Sequence, residues 1–265
     1  MVMIMVLLGQ ECKLGQKMTW IWGMCVGLIC SGCLLLFDSI KESMTDMAEM
    51  YSNLGDFSVA LGMDKMNMGT LEGYYAIEIS IILSLGAAMF SAMLGVSMVS
   101  KEEEGHTSEF LNTLPFGRLR IIVEKYGALL ATIIQFHMIN VILILAGFAI
   151  MKDIPQPGKL AEYHSLTLLM SIEIGTICFL ISAVTRKKLT GAAIGIALLF
   201  YVMNLMANVV PALDKLKLLT PFYYCDAADI FAGEHPEVFS ILLAGVLIAG
   251  GLAAAILIYK KRDLS

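Results

Sequence analysis

The residues most able to do work lie between positions 101 and 118. They run Lys101-Glu102-Glu103-Glu104-Gly105-His106-Thr107-Ser108-Glu109-Phe110-Leu111-Asn112-Thr113-Leu114-Pro115-Phe116-Gly117-Arg118. Wound as a helix, Thr107 to Leu114 sets Phe110, Leu111 and Leu114 on one face. Glu103 and Glu104 precede that helix, where its N-terminal dipole favours negative charge. Pro115 and Gly117 stop it before Arg118. The expected product is a stubby amphipathic rod with an acidic start. Anionic headgroups would repel three consecutive glutamates, so a groove on another protein suits the rod better than a lipid surface.

A second set of polar groups falls inside apolar runs. Glu173 and His137 each lie about 12 residues, roughly 18 Å, from the ends of their runs. The two could meet if their helices are neighbours. Asn140 is nearly one turn from His137, and Asn204 and Asn208 are one turn apart. Ionisable groups at such depth line a translocation path or form structural hydrogen-bonded pairs, and the sequence supports both readings.

Other chemistries lack their residues. No Gly-x-x-x-x-Gly-Lys-Ser/Thr loop is present to cradle phosphates, since Gly158-Lys159-Leu160 fails at the hydroxyl. A membrane-embedded protease of the Glu-Glu-x-x-x-Arg type would need arginine where Thr107 or Ser108 stands. No His-Glu-x-x-His occurs, and the four histidines form no metal-ligand pattern. Met44, Met47, Met50, Met63, Met66 and Met68 suggest a soft-metal site, but 19 methionines overall make general usage the simpler account. Four of the six cysteines lie in apolar runs and read as small buried hydrophobes.

The elements that must position these groups are long apolar helices. Apolar residues make up 58% of the chain, charged ones only 15%, and mean hydropathy is +0.79, which no single water-soluble core could hide. Net charge −5 gives no reason to expect nucleic-acid binding. Six stretches can cross a bilayer: 20–37, 75–99, 126–151, 165–185, 190–210 and 239–259. Residues 1–19 read as an interfacial segment. Asp38–Gly73 repeats apolar residues at helical spacing and reads as a partly helical external loop. The fold class expected is therefore an all-α membrane protein forming one transmembrane domain over 1–265.

Orientation follows from basic residues. With both termini on one side, that side receives 12 of the 18 lysines and arginines, from Lys13 to Arg262, in short connections. It is expected to be cytoplasmic. Small residues at four-residue spacing, Gly23/Gly27, Ser91/Gly95 and Gly191/Gly195, would let helices approach closely within the bundle or in a dimer, as would Gly245 and Gly250.

At the loop the chain resembles the type-2 ABC-transporter permeases. Glu104-Gly105-x-Thr107-x-Glu109-x-Leu111-x-x-x-Pro115-x-x-Arg118 is similar to their signature, although His106 intrudes after the glycine. Thr70-Leu71-Glu72-Gly73-Tyr74 resembles the opening of the second span in bacitracin- and sodium-export permeases. Thr220-Pro221-Phe222-Tyr223-Tyr224 resembles the segment before their last span, which is partly re-entrant. The resemblance implies a bacterial plasma-membrane exporter subunit whose cytoplasmic coupling helix docks on a separate ABC ATPase. It implies two ATPases, a second permease subunit (identical or homologous), and ATP with Mg bound by the ATPase rather than by this chain. A secondary transporter without ATP is the alternative; it would call for broken helices in two inverted halves. The cargo is not legible.

Overall fold

The computed structural model describes residues 6–52, 55–105 and 117–261, and all regular structure among them is helical. Six helices are long and apolar enough to cross a membrane. In chain order the elements are α1 (Val6–Ser52), α2 (Asp56–Ala60), α3 (Leu71–Tyr74), a π-turn (Tyr75–Ile79), α4 (Ser80–Ser97) and α5 (Ser100–Glu104). After the loop come α6 (Arg118–Met151), α7 (Pro157–Val184) and α8 (Thr190–Val209). Two 3-10 turns follow (Pro211–Leu219 and Tyr223–Cys225), then α9 (Ala227–Ala232) and α10 (Val238–Lys261).

Local chemistry sets several of these bounds. The second span starts where the Thr70 side chain accepts the Gly73 N–H at 3.1 Å. It then passes through the π-turn, which packs Tyr75 among Phe148, Tyr163, His164 and Phe231. Pro157 sits in the first turn of α7, where its missing N–H costs nothing.

Residues 6–19 are not a separate interfacial element. They are the first turns of α1, which runs unbroken for 47 residues. Packing against α6 helps hold them there: Leu8 lies beside Gly127, and Gly15 beside Thr132. At the other end, α1 carries the stretch after residue 38 as far as Ser52, so the external loop is helical first by continuation and then through α2.

The bundle is built from two intimate pairs, α1 on α6 and α4 on α7, with α8 beside α4 and α10 beside α7. The small-residue motifs divide accordingly. A Cβ on Gly95 would run into the carbonyl oxygen of Gly175, and one on Gly27 into Leu143, so both serve contacts within this chain. Gly191, Gly195, Gly245 and Gly250 meet nothing within 4 Å. They lie on α8 and α10, whose most apolar windows are only 22% and 11% buried. Those two helices give most of their apolar surface to lipid or to another chain.

Candidate functional site

Lys125 opens the third span and is fully buried. A buried ammonium is costly unless it is paired and all three of its protons are used. They are. Lys125 Nζ donates to Glu11 Oε1 at 2.7 Å, to Glu102 Oε1 at 2.5 Å and to the carbonyl of Met98 at 2.8 Å. Glu11, only 3% exposed, also accepts a bond from Lys101 through its second oxygen. Lys101 and Glu102 stand 4.0 Å apart. Two carboxylates and two ammoniums thus balance one another where α1, α5 and α6 converge. Burial lifts the Glu102 carboxyl above the ordinary carboxylate range, and Lys125 offsets part of that rise.

Neighbouring contacts extend the cluster. Glu124 accepts the Leu7 and Leu8 N–H groups at 3.1 and 3.2 Å, satisfying free donors in the first turn of α1, and accepts from Arg120 at 2.7 Å. The helix breaks between α4 and α5, and the two N–H groups there, of Val99 and Ser100, both donate to Ser182 Oγ of α7 at 2.9 Å. Glu104 accepts the Lys188 N–H at 3.2 Å, Glu103 approaches Arg186 at 3.8 Å, and Arg118 donates to the Lys260 carbonyl at 3.2 Å. The residues flanking 106–116 are therefore bonded to α1, to the α7–α8 turn and to the end of α10.

Of the coupling residues expected from sequence, Glu103, Glu104, Gly105 and Arg118 lie at these roots. Thr107, Glu109, Phe110, Leu111, Leu114 and Pro115 lie outside the described residues, as does the rod they would form. Glu11, Glu124 and Lys125 carry no role in the sequence reading. The available signal is an acid at position 11 in an apolar opening, with a lysine entering another span; which pair meets depends on helix register.

The intramembrane residues are placed differently from the expected pairing. His137 Nε2 shares a hydrogen bond with Ser171 Oγ at 2.9 Å, whereas Glu173 Oε2 accepts from Tyr224 OH at 2.7 Å. Residues 171 and 173 are about 200° apart around α7, so one helix cannot offer both to α6. Asn140 turns its amide nitrogen back to the Phe136 carbonyl at 2.8 Å. Asn204 is buried, and Asn208 borders an outer cavity of about 230 Å³. Tyr224 and Phe222 are themselves buried rather than in an interfacial belt, because their segment dips to the depth of Glu173. Among the described residues no group of three or more His, Cys, Asp or Glu side chains is placed to hold a metal.

Six long apolar helices in an intimate bundle, with a charged knot where α1, α5 and α6 converge, define a multi-pass membrane protein. The profile of the family described as ABC-2 family transporter protein matches residues 5–264, and the chain belongs to that family. It is an ABC-transporter permease, a membrane subunit and not itself an ATPase. Comparison with curated proteins one by one finds no match.

Proposed function

We propose that this chain is the permease half of an ATP-driven exporter. Its 103–118 segment receives work from a separate ATPase, and it acts in a complex of two permeases and two ATPases. The basic end of the bundle faces the cytoplasm in this reading, with both termini there, in a bacterial plasma membrane. ATP and Mg belong to the partner.

One observation carries the reading: the two ends flanking residues 106–116 are anchored through a buried ion cluster in which Lys125 Nζ uses all three of its protons. Lys125 ties α5 to α1 and α6 at once, so a push on the loop would reach three elements together. Closure of the ATPases on nucleotide would move the docked segments and exchange inward- and outward-open arrangements. Such a drive works only through different affinities for the two states. His137, Asn140, Glu173, Asn204 and Asn208 are then candidates for the route between them.

The test pairs Glu104→Ala with Glu109→Ala. Membrane insertion and ATPase capture in a pull-down with the candidate ATPase are expected to persist, while nucleotide hydrolysis no longer drives transport. Transport at the wild-type rate by this double variant would contradict the docking role.

A further inference from the structure

Asp226 borders three cavities, of about 50, 70 and 230 Å³. The smallest lies between the second span, α8 and the dipping segment, and it is walled by Tyr163, Tyr201 and Phe222. Tyr201 and Phe222 meet edge to face at 5.4 Å. Among the described residues, Asp226 is the only charged side chain in this wall, with no lysine, arginine or histidine beside it.

Three hydroxyls of this wall spend their protons on backbone carbonyls. Ser80 donates to the Ala76 carbonyl at 2.5 Å, Ser84 to that of Ile81 at 3.3 Å, and Tyr163 to that of Ser80 at 2.9 Å. Asn204, only 6% exposed, lines the same pocket, and its Oδ1 has no hydrogen-bond partner among the described residues. A buried acceptor left bare carries a desolvation penalty, which a donor-bearing guest would recover. A carboxylate, a bare amide oxygen and aromatic faces, with no competing cation, form an acceptor-rich pocket. Its volume of about 50 Å³ admits a small group of a few heavy atoms. Outward, the largest cavity continues past Asp226 to Asn208, and its Lys65 is already neutralised by Asp229 at 2.7 Å and Glu234 at 2.8 Å.

We infer that this pocket seats a primary alkylammonium group, the charged head of a cationic amphiphile that leaves through the outer cavity. Calling that molecule the cargo rests on the permease reading; binding it requires no ATPase.

The full chain in lipid nanodiscs is titrated calorimetrically with octylammonium, octanol and octanoate, with empty nanodiscs subtracted. Octylammonium is expected to give a saturable one-site isotherm, and the other two none. Asp226→Asn keeps the cap on α9, because asparagine caps as well as aspartate. That variant and Asn204→Leu should each weaken octylammonium binding about tenfold or more. Equal binding of octanol, no saturable heat with octylammonium, or wild-type affinity in a variant whose thermal unfolding is unchanged overturns the assignment. Should Asp226→Asn fail to fold, Asn204→Leu decides by the same criterion. Ammonium binding without ATPase capture leaves this inference standing and removes the coupling reading; capture without ammonium binding does the reverse.

Discussion

Replacing Lys125 by methionine keeps the length and apolar stem of the side chain and removes only its charge. In the wild type, Nζ makes three bonds, to Glu11, Glu102 and the Met98 carbonyl. Without it, Glu11 keeps Lys101 alone, and Glu102 has that lysine no closer than 4.0 Å. Breaking a buried pair by removing one partner costs about 3–5 kcal/mol, because the other charge stays buried. At about 2–4 °C per kcal/mol for a chain of this size, thermal unfolding should fall by roughly 6–20 °C. Two further arms test the cause. Glu11→Gln in the Lys125→Met background should restore a good part of the loss, so a double-mutant cycle would report a coupling of about 1–3 kcal/mol. The deficit should also grow with pH. Burial already holds Glu102 up, and losing Lys125 raises it further, so the folded state binds a proton more tightly than the unfolded one. Stability held below the ordinary carboxylate pKa is then lost as pH rises through the folded value. An unfolding temperature within a degree or so of an exposed-lysine control such as Lys17→Met, or a coupling near zero, would refute the idea that this cluster holds the loop roots.

Tyr224→Phe should cost about 1–3 kcal/mol in thermal unfolding by leaving Glu173 without its 2.7 Å donor, and adding Glu173→Leu should return part of it. Gly95→Ala should destabilise by about 1–3 kcal/mol because its Cβ meets the backbone oxygen of Gly175, whereas Gly195→Ala, with nothing within 4 Å, should be neutral or gain up to about 1 kcal/mol from helix propensity. Burial first, then the neighbouring Asp229, pushes the Asp226 carboxyl up to about 6, with Lys65 opposing. The folded state therefore holds that proton more tightly, and stability should decline as pH rises from the ordinary aspartate value through about 6. Asp226→Asn should flatten that slope in unfolding measured from pH 4 to 7.

Much of this architecture is legible from run length and charge. The runs around 75–99, 190–210 and 239–259 are apolar and long, and the bilayer leaves a chain few other ways to satisfy its backbone there. The chemistry of the loop roots is not legible in the same way. Glu11 gains its meaning from α1 lying along α6 in one register, and nothing local at position 11 announces Lys125. Residues 6–19 look too polar to span, because Glu11, Lys13 and Lys17 are counted as solvated, yet Glu11 is buried by a partner 114 positions away. Glu173 and His137 fail to pair for a rotational reason. Depth along a helix can be counted from sequence, but the face a residue presents depends on which neighbours the helix finds. The tyrosines at 223 and 224 show the same limit, since aromatic residues before a span suit an interfacial belt and only the packing carries Tyr224 inward.

The two ends of the molecule are joined by α7. At the inner end, Ser182 holds the break between α4 and α5. One turn and a half further along, Thr176 meets Tyr126 of α6 at 2.9 Å. Midway, Glu173 holds Tyr224 of the dipping segment, and near the outer end Lys159 donates to the Phe231 carbonyl of α9 at 2.7 Å. Gly175 meanwhile lets α4 pack against α7 backbone to backbone. A displacement delivered at the loop roots thus has a continuous 28-residue helix along which to reach the wall of the aromatic pocket. Contiguity alone does not establish coupling; a two-state element biased from both ends does. The segment from Thr220 to Gly233 is the candidate for that element. It consists of short turns rather than a long helix, and its bonds to Glu173 and Lys159 are the ones an outward opening would have to exchange.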